Sequence, residues 1–197
     1  VACSGVDRVD VIKGASFTLA KSIPVPAKNP RAIAYHLGRA WVVPHVSGNN
    51  TAPMGAASSG PDVDNIVDVR PLSEFPGLNQ LPDRDLFAIP TQANPEQDAL
   101  DPAQTQTGLG TVLFNVHARP GTNELWIPNT DALNGVNKGE KSFIGGQCVR
   151  NRITIVDTAG ALAPSAIDLD ALAPAGLECS QPTGLAFDPL RPRVYVC

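Results

Sequence analysis

Cysteine is scarce in this chain and never paired in a short motif: Cys3, Cys148, Cys179 and Cys197 occur, with no CxxC. That argues against a zinc ribbon, a thioredoxin-type redox centre and covalent c-type haem attachment within this segment. Long helical patterns are missing as well. No stretch keeps apolar residues at i, i+3, i+4 and i+7 for three turns without a Pro or Gly. No apolar run is long enough to cross a bilayer. A basic n-region followed by an apolar h-region is absent too, as is an initiator Met, which fits a leader already removed or never included. Basic residues stand singly in a chain of net charge −4, so the clustered basic face that nucleic acid requires is not there. Neither GxSxG, HExxH nor a Walker loop occurs. His36, His45 and His117 fall on different elements, and nothing nominates a Ser-His-Asp triad.

What is present points to a β-rich, turn-rich protein. Hydrophobic residues make up 43% of 197, enough for a core, and 19 prolines and 17 glycines are spread without a short period. An even cysteine count in such a chain fits disulfides in an oxidising compartment, with free buried thiols as the alternative.

The chain repeats itself, and repeats govern the fold. Asp7-Arg8-Val9-Asp10-Val11-Ile12, Asp64-Asn65-Ile66-Val67-Asp68-Val69 and Asn151-Arg152-Ile153-Thr154-Ile155-Val156 each join a polar pair to a β-branched run. A hairpin recurs beside them. Pro30–Ala34 leads to Ala40-Trp41-Val42-Val43, Gly110–Phe114 to Leu125-Trp126-Ile127, and Pro182–Phe187 to Val194-Tyr195-Val196. Small residues suit an inner strand near a propeller axis, and the aromatic would fill space between neighbouring sheets. Lettered from the axis outward, Ile33 marks strand a, Trp41 strand b and Val67 strand c. Phe17–Val25, Asp85–Ile89 and Ala166–Leu169 serve as strand d.

Four antiparallel strands recurring radially are a β-propeller blade, so the expected class is all-β. The expected units are strands c and d at 1–27, a blade at 30–90, a blade at 108–170, and strands a and b at 180–197. That is about three blades' worth, and a fragment of a larger ring is the expectation. In the alternative, copies close the ring through open blade edges. Cys3 then reads as a strand-end residue rather than the anchor of a lipobox at Val1–Gly5.

Leu81–Ile89, Gly108–Asn115, Leu125–Asn134 and Arg150–Asp157 resemble recurring motifs of bacterial YVTN-type propeller proteins. His45-Val46-Ser47-Gly48-Asn49 is similar to a His-Ser-Gly-Asn loop of that family, with Val46 inserted. The resemblance covers about 30 to 160. It implies a periplasmic or secreted bacterial protein, in a family some of whose members carry c-type cytochrome or di-haem peroxidase-like modules. It supplies a fold and a location more than an activity.

The long connections expected between strands b and c, roughly 44–64 and 128–151, open on one face with all four cysteines. Long loops in compact domains are usually functional, so this face is the expected binding surface. Its candidate contact residues are His45, Asn49, Asn50, Asn129, Asp131 and Asn134. Asn129, Asp131, Asn137 and Glu140 offer the oxygen ligands that suit Ca²⁺, although such Asx-rich runs are also ordinary turn chemistry. His45 could ligate a metal or haem iron, or be a hydrogen-bonded structural residue. Asn49-Asn50-Thr51 is a sequon expected to be silent in a bacterial protein. A Cys148–Cys179 bridge is expected, closing about thirty residues and contributing ~3 kcal/mol in the loop-entropy account, with Cys179–Cys197 as its competitor.

The expectation is therefore an extracytoplasmic binding or docking scaffold, partnering a c-type cytochrome module or a surface assembly. No cofactor is attached in this segment. The alternative is a propeller-type metal-dependent hydrolase or lactonase, or a peroxidase-associated enzyme.

Overall fold

A computed structural model of the chain describes residues 1–46, 84–132, 149–160, 163–174 and 181–197. Its strands are β1 (Ala2–Cys3), β2 (Arg8–Lys13), β3 (Thr18–Pro24), β4 (Lys28–His36), β5 (Arg39–Val46), β6 (Leu86–Pro90), β7 (Asp101–Gln106), β8 (Val112–Leu113), β9 (His117–Ala118), β10 (Glu124–Ala132), β11 (Val149–Asp157), β12 (Ser165–Asp168), β13 (Leu185–Phe187) and β14 (Val194–Val196). Every pairing is antiparallel. The ladders group as β1-β2-β3, β4-β5-β6-β7, β8/β9-β10-β11-β12 and β13-β14. This is an all-β arrangement of propeller blades: two with four strand positions each, flanked by partial ones.

Side-chain alternation decides how the blades stack. Successive residues on a strand point to opposite faces. On β5, Trp41 and Val43 enter one core cluster and Val42 enters another. On β6, Leu86 and Ala88 join the first cluster, Phe87 and Ile89 the second. The first cluster also holds Leu109, Leu113, Leu125 and Ile127, so it fills the gap between the two four-stranded blades. The second holds Val9 and Ile23, and fills the gap toward β1-β2-β3. A third, with Trp126, Ile153 and Leu185, joins the β10 blade to the β13-β14 hairpin. Both tryptophans thus lie between neighbouring sheets, as their hairpin positions predict.

The hairpin turns follow from local chemistry. Between β4 and β5, Leu37 and Gly38 both take positive φ, 49° and 77°. Two such residues make the tight turn whose twist matches flanking strands, and glycine adopts it without Cβ strain.

One strand differs in place from the sequence reading. Leu86–Pro90 pairs directly with β5, matching Trp41 to Ala88 and Val42 to Phe87. It therefore holds the third position, not the fourth, and Asp101–Gln106 is the fourth strand beside it. The segment around Val67, expected third, lies outside the described residues. A strand buried on both faces carries the same apolar signature wherever it sits, so order within the blade is set by which edge it meets.

Leu86 is fully buried and Leu190 is 88% exposed. Leu86→Ala is expected to cost about 2–5 kcal/mol, and Leu190→Ala no more than about 0.5 kcal/mol. Urea unfolding of the two variants measures both.

Candidate functional site

The rim from which the long connections leave is fixed by one small strand. β8 pairs antiparallel with β5 through Val46–Val112, and antiparallel with β10 through Thr130–Val112. β5 and β10 therefore run in the same direction on either side of Val112. Residues 47–85 leave from one and 133–148 from the other, at the same edge of the disc. Both return there, since β6 pairs antiparallel with β5 and Val149 pairs with Ala132. Of the predicted loop residues, Asn49, Asn50, Asn134, Asn137 and Glu140 lie outside the described residues.

Asn129 and Asp131 are placed, and not in a loop. They belong to β10, which continues to Ala132. Their Asx-rich run reads as turn chemistry, and Pro128 cannot donate to a ladder. Here the Pro128 carbonyl accepts from the Phe114 N–H, so its missing donor faces the gap where the inner strand breaks between β8 and β9. The strand thus passes through proline with nothing to lose.

Asn129 is fully buried and all its polar capacity is engaged. Its amide donates to the Ile127 carbonyl at 2.7 Å and to Thr154 Oγ1 at 2.9 Å, and its Oδ1 accepts from Arg152 Nε at 2.9 Å. Arg152 also reaches Asp131 at 2.7 Å and the Leu109 carbonyl at 2.7 Å. Burial pulls the Arg152 guanidinium below its ordinary value, opposed by the nearby charges of Asp131 and Asp85. It remains a cation, as arginine does in proteins. A guanidinium thus occupies the place a divalent ion would take between Asn129 and Asp131. Among the described residues, no group of three or more His, Cys, Asp or Glu is arranged to hold a metal.

Fully buried Asp85 extends this network, accepting from the Leu109 N–H. It precedes β6 and so ties one blade to the next. Gly110 closes the packing: a Cβ there would sit 2.5 Å from Asn129 Oδ1. Sequence reasoning missed Arg152 and Asp85 as members of this cluster. The available signal was the i, i+2 spacing of Asn129 and Asp131 on one strand face, with a basic residue on the facing strand.

His45 stands at the end of β5, beside a recess of about 370 Å³ lined by Ala2, Ser4, Asn29, Pro30, Arg31 and His45. Arg31 falls where the β4–β5 register shifts, a bulge that re-aims its side chain. Burial, then the Arg31 charge, push the His45 imidazole below its ordinary value, while the Leu113 carbonyl opposes this from 3.4 Å. His45 is therefore neutral at pH 7, with its Nδ1 committed to structure. His117 lies further along the inner strand, where its Nε2 accepts from the Leu185 N–H at 3.3 Å. Burial depresses its pKa also.

Cys3 and Cys197 are free thiols. The competing Cys179–Cys197 bridge involves a residue outside the described ones. Cys148 and Cys179, the expected pair, lie outside the described residues.

Arg152→Leu is expected to cost about 1–3 kcal/mol, because it removes a part-buried ion pair with Asp131 and leaves the buried Asn129 Oδ1 without its donor. Asp131→Asn in that background should recover part of the loss in urea unfolding. The histidines give a pH signature. A depressed folded-state pKa means the fold favours neutral imidazole, so its contribution is complete above the ordinary 6.5 and is lost as pH falls through the depressed value. The thermal midpoint should fall between about pH 7 and about pH 5. The fall should be shallower in His117→Gln, which keeps an acceptor but binds no proton.

No protein-family profile matches the chain, and no curated protein does. The YVTN-type resemblance therefore stands on the sequence motifs alone. Among solved structures, the chain is similar to hydrazine synthase from Kuenenia stuttgartiensis, with a TM-score of 0.64 at 16% identity. The match covers 100% of this chain and 45% of that one, so the chain spans less than half the length of its structural neighbour. The likeness is one of fold.

Proposed function

We propose that the chain is part of an extracytoplasmic propeller that acts as a docking scaffold, with the β5–β10 rim as its binding surface and a c-type cytochrome as its partner. One observation carries the proposal: two long connections, 47–85 and 133–148, leave and return at a single edge of adjacent blades. A rigid sheet scaffold presenting grouped connections is the usual construction of a recognition surface. Asn129 and Asp131 are engaged by Arg152, so they shape this edge rather than contact a partner. The cytochrome, and a location outside the cytoplasm, come from the YVTN-type resemblance. The net charge of −4 favours a basic partner, through steering more than affinity.

Gel filtration with a basic c-type cytochrome, followed at the Soret band, tests this. The intact chain should carry haem absorbance into its own peak, and salt should weaken the association. A variant in which short Gly-Ser linkers replace residues 49–80 and 135–146 should lose it. Equal binding by that variant, or none by the intact chain, removes the proposal.

A further inference from the structure

On the rim opposite the long connections, the β9–β10 and β13–β14 turns face each other across a cleft of about 240 Å³. Its lining includes Arg119, Trp126, Phe187, Pro189, Arg191 and Arg193. Trp126 and Phe187 meet edge to face, with ring centroids 5.3 Å apart at 81°. The Arg119 guanidinium sits 5.6 Å from the indole centroid, a cation–π distance. Its charge is already balanced, since it pairs with Glu124 at 2.8 Å. Glu124 in turn accepts from the Trp126 indole N–H at 2.9 Å. The aromatic wall is thus held rigidly from behind.

The opposite lip differs. Asp188 Oδ1 accepts from the Leu190 and Arg191 N–H groups at 2.9 and 3.2 Å. The Asp188 N–H donates to the Arg193 carbonyl at 3.0 Å, and the Arg193 N–H to the Arg191 carbonyl at 2.7 Å. Pro189 and Pro192 fix φ at two further positions. The turn is therefore preformed, and Asp188 is occupied in building it. Arg191 and Arg193 make no ion pair among the described residues. Two guanidinium forks without acidic partners, on a rigid turn of an acidic chain, face a wall of rings.

Guanidinium forks match planar carboxylates bidentately, and the ring wall favours a flat apolar body beside the charge. We propose that this cleft binds a small aromatic carboxylate, its carboxyl group on Arg191 and Arg193 and its ring against Phe187 and Pro189. The site lies away from the proposed docking rim and does not depend on that reading.

Titration of the full chain with benzoate, followed by NMR, tests it. The chain has two tryptophans, so two indole N–H signals report. Trp41 is buried in the core and donates to the His36 carbonyl at 3.3 Å. The Trp126 signal, identified by its loss in Trp126→Phe, should shift saturably, with a Kd on the order of 1 mM or tighter. The Trp41 signal should stay still. Arg191→Gln with Arg193→Gln should weaken binding at least about tenfold while leaving the dispersed spectrum unchanged. Acetate and benzyl alcohol should each bind at least about tenfold more weakly than benzoate. Absence of saturation, equal movement of both indoles, an unaffected double variant, or acetate binding as well as benzoate would each overturn the proposal.

Discussion

Everything in this molecule depends on sheets that are buried on both faces. Each inner blade is pressed between two others, so its strands must supply apolar side chains at successive positions instead of alternating with polar ones. β6 shows the result, with Leu86, Phe87, Ala88 and Ile89 all buried. Two of these residues serve one interblade cluster and two serve the other. A charge placed mid-strand would have to leave water with no partner waiting. Polar side chains inside the strands, such as Asn129, Arg152 and Thr154, are accordingly tied to one another, and the rims become the surfaces where function can reside.

The two described rims use their polar residues differently. On the long-connection side, Arg152, Asn129, Asp131 and Asp85 spend their capacity on one another and on backbone around Leu109. Such a network costs desolvation and returns positional definition, because each member has one arrangement that satisfies the rest. Its reach from the residue before β6 to β11 fixes the rotation of one blade against the next. The hairpin side is less committed. There Glu124 ties down Arg119 and Trp126, while the Asp188 turn sets Arg191 and Arg193 on the lip of the cleft.

The radial order was legible in the sequence because the hairpins repeat with a bulky aromatic at a constant place. Trp41 and Trp126 marked second strands, Arg8–Lys13 and Val149–Asp157 fell where the polar-pair and β-branched pattern put them, and Ser165–Asp168 overlaps the expected fourth strand at Ala166–Leu169. The third strand of the first full blade was not legible. Asp64–Val69 offers a polar pair with a β-branched run and Leu86–Ile89 an unbroken apolar one, and sequence offers no measure of which run a given edge will accept. Asn129 and Asp131 were misread for a local reason. Asn-Thr-Asp-Ala is ordinary turn chemistry, and the break in the inner strand that tolerates Pro128 is a tertiary fact. That the two long connections share one edge was legible as topology, whereas Arg152 between Asn129 and Asp131 was not.

The seam between the two four-stranded blades has a mechanical meaning. Among the described residues a single ladder pair, Val46 with Val112, crosses it, joined by the Asp85–Leu109 and His45–Leu113 hydrogen bonds, and the remaining contact is side chains packed around Trp41 and Leu113. A tug along a strand is resisted by many ladder bonds loaded together, but a tug that fans the blades apart meets mainly oily contact and yields at the rim first. The disc is therefore stiff within each blade and compliant between blades. Because both long segments are rooted beside that crossing, whatever grips them together also acts as a clasp on the hinge line.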